Sequence, residues 1–225
     1  MPPLVAAIAT IAVALVIVGR TPVRPQVPIT PVRPRGWLSF TRRRDWITAT
    51  VVLATLVLTS VIAGAASAPD EHGWYSMIEI PVGTLEPGFA SFFGWAYGLP
   101  VLVAAAVLAA VVSWALHLSA ARPFIRPETV EAETTERRAL SSVLVAVMLG
   151  ATLLVLGDAV RLIAGAGMGS VGVGIPGIGD FNYSTGYAAL APAMLALGNL
   201  IQIWAIALLL ITAAGRTFRL RRAAA

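Results

Sequence analysis

The sequence predicts an all-α integral membrane protein: a bundle of five transmembrane helices with short loops and one candidate β-hairpin on the outer side. Three observations carry this. Of 225 residues, 58% are hydrophobic, and the mean hydropathy is +0.83. Charged residues make up only 12%, about half the share usual in a soluble domain. The apolar residues also fall into runs near the roughly 20 residues that a helix needs to cross a hydrocarbon core about 30 Å thick. A soluble core of this length could not hide so much apolar surface, whereas lipid can serve as its solvent.

The first run, residues 4–18, extends with its flanks to a span over about 3–19. Met1-Pro2-Pro3 lacks the basic n-region of a signal peptide, and arginine begins only at Arg20, so an uncleaved helix with its N-terminus outside is expected. Residues 20–45 then hold seven Arg and five Pro. Proline at this density forbids a regular helix and favours an extended, stiff cytoplasmic linker. The PVRP repeat at 22–25 and 31–34 has the pattern of an SH3 ligand, but a basic linker explains it without a partner domain. Trp37 and Trp46 bracket Arg42, Arg43 and Arg44, an arrangement suited to anionic lipid headgroups.

The second span is expected at 46–67. Its Thr48, Thr50, Thr55, Thr59 and Ser60 read as packing residues, since a hydroxyl in a helix bonds the carbonyl of the preceding turn. Residues 68–95 follow as a polar loop with Asp70, Glu71, Glu79 and Glu86 and no Arg. The stretch 74–82 (WYSMIEIPV) is aromatic and β-branched, and Pro87-Gly88 is a turn signal, so a hairpin belongs here. Asp70, Glu71 and His72 are adjacent in sequence and converge poorly on one cation; they read as solvated. The third span, 96–118, has an Ala-rich middle that permits close helix approach, with Trp114 and His117 at its far end.

Residues 119–138 carry Arg122, Arg126, Arg137 and Arg138 beside Glu128, Glu131, Glu133 and Glu136. Pro127 can start a helix, Glu133 and Arg137 form an i,i+4 pair, and the segment runs straight into the fourth span at 139–165. Residues 165–192 are glycine-rich and read as a flexible or surface-hugging loop, with Phe181, Tyr183 and Tyr187 anchoring its return to the membrane. Its GVGIPGIG run does not make a selectivity filter, which needs carbonyls converging from several copies. The fifth span is expected at 193–214, ended by Gly215-Arg216.

Sidedness follows from the arginines. Segments 20–45, 119–138 and 215–225 hold fifteen of the sixteen, and the two opposite loops hold none. This positive-inside asymmetry puts the N-terminus outside and the C-terminus in the cytoplasm. It also accounts for the pI near 10.7 without nucleic acid. The use of Arg to the exclusion of Lys, with abundant Ala, fits a GC-rich bacterial genome and hence a bacterial plasma membrane.

The sixteenth arginine, Arg161, lies in the fourth span with Asp158. Ionisable residues at membrane depth are costly and need a partner or a purpose. Asp158 is about seven residues, or roughly 10 Å, from the outer end of its span. Asn199 lies at a similar depth in the fifth span, with Gln202 three residues on. Asp158, Arg161, Asn199 and Gln202 are therefore the candidate intramembrane polar cluster. A structural knot, with Asp158 paired to Arg161 and the amides completing their hydrogen bonds, is one reading; an ion or proton site is the other.

Catalytic signatures are missing. With no Cys and two His, thiolate chemistry and histidine metal sets are excluded, and no P-loop, HExxH or G-x-S-x-G motif occurs. No cofactor is expected. The sequence thus points to a non-enzymatic multi-pass protein, an accessory or assembly subunit of a larger bacterial membrane complex, with membrane lipids and other membrane subunits as partners. The alternative is a small transporter or permease component with its polar site around Asp158.

Overall fold

The computed structural model describes residues 2–19, 36, 39–83, 85–124, 127–175 and 179–224, with the side chains of 13–19, 127, 175 and 216–224 outside that description. The chain is mostly helical: α1 (Pro2–Gly19), α2 (Arg43–Ala65), α3 (Trp95–Ala121), α4 (Val130–Gly167) and α5 (Ala191–Ala224). Four of them, α2 to α5, are long and apolar enough to cross a membrane. Such a chain reads as a multi-pass membrane protein. The side chains of α1 are described over Pro2–Ala12 as a short apolar helix.

Strands fill the segments between α2 and α3 and between α4 and α5. β1 (Ala68–Pro69), β2 (Tyr75–Ile80) and β3 (Gly88–Ser91) form an antiparallel sheet in the order β1-β2-β3. β2 pairs with β3 from Met77↔Ser91 to Ile80↔Gly88, where the aromatic and β-branched stretch placed a hairpin. β4 (Ser170–Ile175) and β5 (Gly179–Ser184) make a second, two-stranded sheet. The glycine-rich segment is therefore a hairpin rather than a flexible or surface-hugging loop. Its register explains this: Val171 faces Tyr183 and Val173 faces Phe181, while Gly172 and Gly174 face Asn182 and Asp180. One face is apolar and aromatic at period two, and glycine occupies the other, where it hides the alternation from a reader of the sequence.

The chain divides into two compact units. The first comprises Met1–Leu53, Ala104–Thr152 and Ile206–Ala225. In it α1 buries Leu4, Ala7 and Ile11 at helical spacing, α3 buries Leu108, Val112, Ala115 and Leu116, and α4 buries Leu144, Val145 and Met148. A 3-10 turn at Pro127–Thr129 leads into α4. Thr129 Oγ1 donates to Glu133 Oε1 at 2.6 Å, and Glu131 and Glu133 sit in the first turn, where carboxylates favour the helix N-terminus. The acidic-then-basic segment thus belongs to the fourth helix, as expected, and lengthens it to 38 residues.

The same unit is pinned by Arg137. Its guanidinium donates to the carbonyls of Ser119 (3.2 Å), Arg122 (2.7 Å) and Pro123 (3.0 Å), which belong to or follow the last turn of α3. The expected pairing with Glu133 is present at 3.4 Å, and the guanidinium lies over the rings of Phe124 and Phe40. Helix C-terminal carbonyls lack intrahelical donors, and a planar five-donor fork suits several of them at once.

The second unit comprises Ala54–Val103 and Leu153–Ala205. Both sheets belong to it. β4 packs on β3 where the Val171 side chain fills the space beside Gly88. α2 meets α3 at glycine: a Cβ on Gly64 would strike the Trp95 indole at 2.5 Å. Thr185 Oγ1 donates to the Gly167 carbonyl at 3.3 Å and Tyr187 OH to the Ile163 carbonyl at 3.0 Å. Tyr187 therefore fastens the approach to α5 onto the end of α4; burial raises its phenol pKa. α5 continues past Gly215 to Ala224, so Gly215-Arg216 does not end it. One glycine costs about 1 kcal/mol in a helix, which good formers such as Arg and Ala can outweigh.

Candidate functional site

α4 and α5 approach closely in the second unit because both carry glycine where they meet. A Cβ on Gly157 would lie 3.0 Å from the Gly198 carbonyl oxygen, and a Cβ on Gly198 would lie 3.1 Å from that of Gly157. Small residues let helix backbones approach without lipid between them. The approach brings Gln202 of α5 against α4, where its side chain joins two charged residues. Gln202 Nε2 donates to Asp158 Oδ1, and Arg161 Nη1 donates to Gln202 Oε1 at 2.8 Å. The carboxamide is thus a bridge, its donor end on the acid and its acceptor end on the base.

This differs from the expected arrangement in two respects. Asp158 and Arg161 make no direct ion pair within 4.0 Å; Gln202 stands between them. Asn199 is not in the network: it is exposed, and its side chain forms no hydrogen bond among the described residues. A reason for the first departure is visible in the packing. The stem of Arg161 lies across Gly198, its Cγ only 2.7 Å from where a Cβ would stand. The guanidinium is thereby carried toward α5 rather than back along α4 to Asp158.

Asp158 and Arg161 are exposed and Gln202 half-buried. Asp158 precedes the end of α4 by nine residues and Gln202 follows the start of α5 by eleven, about 14 and 17 Å along their helices. Exposed neighbours on α5 are mostly apolar, among them Leu200, Ile203 and Trp204, with Asn199 the polar exception. A charged and hydrogen-bonding patch is therefore set in a largely apolar surface. Chemically it offers a carboxylate, a guanidinium and a carboxamide, and no nucleophile beside a base.

The other candidate residues are placed as follows. Arg42, Arg43 and Arg44 are exposed at the start of α2 and Trp46 is half-buried, while Trp37 lies outside the described residues. Asp70 is a turn former: its Oδ1 accepts the backbone N–H of His72 and Trp74, each at 2.9 Å, and its Oδ2 accepts the Ser76 hydroxyl at 2.9 Å. These bonds, that of Trp74 foremost, lower its carboxyl pKa. Among the described residues no group of three His, Asp or Glu gathers as a metal site.

No family model, curated protein or solved structure matches the chain, so its functional reading rests on these residues.

Proposed function

We propose that the chain is a non-enzymatic bacterial plasma-membrane protein with five spans, its N-terminus outside and its C-terminus in the cytoplasm, that serves as an accessory or assembly subunit of a larger membrane complex. The observation that carries this reading is the exposed Asp158–Gln202–Arg161 network. Polar and ionisable side chains within a span almost always face a bundle interior or a water-filled cavity, or pair with one another, and rarely face lipid. Here they lie on the outside of their own helix pair, which favours a protein neighbour. The low internal burial of α5, 11% of its most apolar window, supports the same reading. The arginine distribution supports the orientation, and exposed Arg42, Arg43 and Arg44 are available to anionic headgroups.

A transporter component is the second reading, favoured by the presence of a carboxylate at that depth. It requires a polar cavity reaching Asp158 from the outer face. Purification in a mild detergent separates the two. A stable complex with other membrane chains, lost or weakened in Asp158→Asn, is expected; an isolated chain whose Asp158→Asn variant folds normally but gives a null phenotype would put the transporter ahead.

A further inference from the structure

The Asp158–Gln202–Arg161 network is half used. Asp158 accepts through Oδ1 and Arg161 donates through Nη1; the second carboxylate oxygen and the other guanidinium donors have no partner among the described residues. Both side chains are exposed. At the roughly 10 Å depth expected from the span, an aspartate side chain reaches water less readily than an arginine, whose long stem can snorkel. A neighbour that covers this face would answer Asp158 with a cationic donor, and the free donors of Arg161 would find an acceptor either on that neighbour or, by snorkelling, in water.

The face itself offers both. It carries one acid and one base on the same helix, three residues apart, and is thus complementary to its own image under a two-fold rotation. We infer that a second copy of this chain covers it, with Asp158 of each copy paired to Arg161 of the other about an axis along the membrane normal. The two positions differ in height by about 4.5 Å, which the arginine stem can span. Gly165 lies seven residues beyond Asp158, is exposed, and has no atom within 4 Å of an added Cβ, so two copies of α4 can approach at that end. This inference rests on the subunit reading above and names one neighbour of that subunit.

The absence of cysteine makes the test direct. The full-length chain carrying Gly165→Cys is oxidised in native membranes, with Val103→Cys, exposed on α3, as the comparison. Disulfide-linked dimer is expected from Gly165→Cys and little from Val103→Cys; should Gly165→Cys fail to accumulate, Asn199→Cys takes its place. In that background Asp158→Arg or Arg161→Asp should lower the linked fraction about fivefold. The exchanged double variant, Asp158→Arg with Arg161→Asp, should restore it. Each copy still presents one acid and one base, and the Gln202 amide can turn over to serve them.

Equal cross-linking at positions 165 and 103, or no rescue by the double variant, overturns the two-fold pairing. No cross-link at 165 while the unaltered chain co-purifies with a different membrane protein overturns the second copy and leaves the subunit reading intact. A monomer with no associated chain overturns both.

Discussion

Gly157 of α4 and Gly198 of α5 lie against each other reciprocally: a Cβ on either would come within 3.0 to 3.1 Å of the other's carbonyl oxygen. Backbone, unlike a flexible side chain, has little room to yield. Gly157→Ala and Gly198→Ala should therefore each destabilise the chain by about 1–3 kcal/mol, the usual cost of overpacking. Gly186→Ala should change little, because a Cβ there meets nothing within 4 Å. Thermal unfolding of the three variants in one detergent checks the contrast; three equal shifts would deny the close approach.

Arg137 is the next test. It serves three carbonyls at the end of α3 as well as Glu133. Arg137→Ala should cost about 3 kcal/mol, since hydrogen bonds to charged groups are worth roughly 1.5–3 kcal/mol and two of the three abandoned carbonyls, those of Ser119 and Arg122, are partly buried. Arg137→Lys should recover only part of this, because an ammonium cannot reproduce the planar fork. Glu133→Gln should be milder than either. If Glu133→Gln proves as damaging as Arg137→Ala, the ion pair and not the carbonyl clamp is what matters.

The Asp70 turn should be pH-dependent. Its folded-state carboxyl pKa is lowered from 3.8 by the N–H groups of Trp74 and His72 and the Ser76 hydroxyl. The folded form therefore favours the carboxylate. Its contribution is present above the ordinary carboxyl range and is lost as pH falls through the lowered value. Hydrogen exchange of the His72 and Trp74 amides should accelerate, beyond the intrinsic pH effect, below about pH 4. Asp70→Asn should remove that extra acceleration, and an unchanged profile in that variant would locate the titrating group elsewhere.

Orientation can be read by labelling. Glu71 and Glu136 are both exposed and lie on opposite sides in the proposed topology. Glu71→Cys should react with an impermeant thiol reagent in intact cells, and Glu136→Cys only after lysis. The opposite pattern would invert the topology.

Much of the helical framework was legible because apolar runs of membrane length leave few alternatives. The Glu133–Arg137 pair and the β2–β3 hairpin were legible too, since spacing and the Pro87-Gly88 signal are local. What was not legible depends on distant partners. The β4–β5 hairpin hid behind Gly172 and Gly174, whose lack of side chains masks a period of two until Phe181 and Tyr183 are laid opposite. Asp158 and Arg161 carried a spacing that suits direct pairing. Only the close passage of α5, set by Gly198, shows that Gln202 comes between them. Of the carbonyl clamp, one half was visible: Glu133 lies four residues from Arg137, while the backbone acceptors lie fourteen to eighteen residues away.

Those separations also fix an order in time. Every group the Arg137 clamp binds through hydrogen bonds precedes it in the chain, so the clamp can close without waiting for later segments. Gln202 is synthesised 44 residues after Asp158 and 41 after Arg161, a delay of roughly 2–9 s at ordinary rates of translation. For that interval the nascent protein holds an acid and a base with no carboxamide between them. Until α5 arrives the two charges can turn only to each other, three residues apart on one helix, or to the insertion machinery and water around them. Truncated chains that stop short of Gln202 should accordingly be retained at the site of insertion and degraded there.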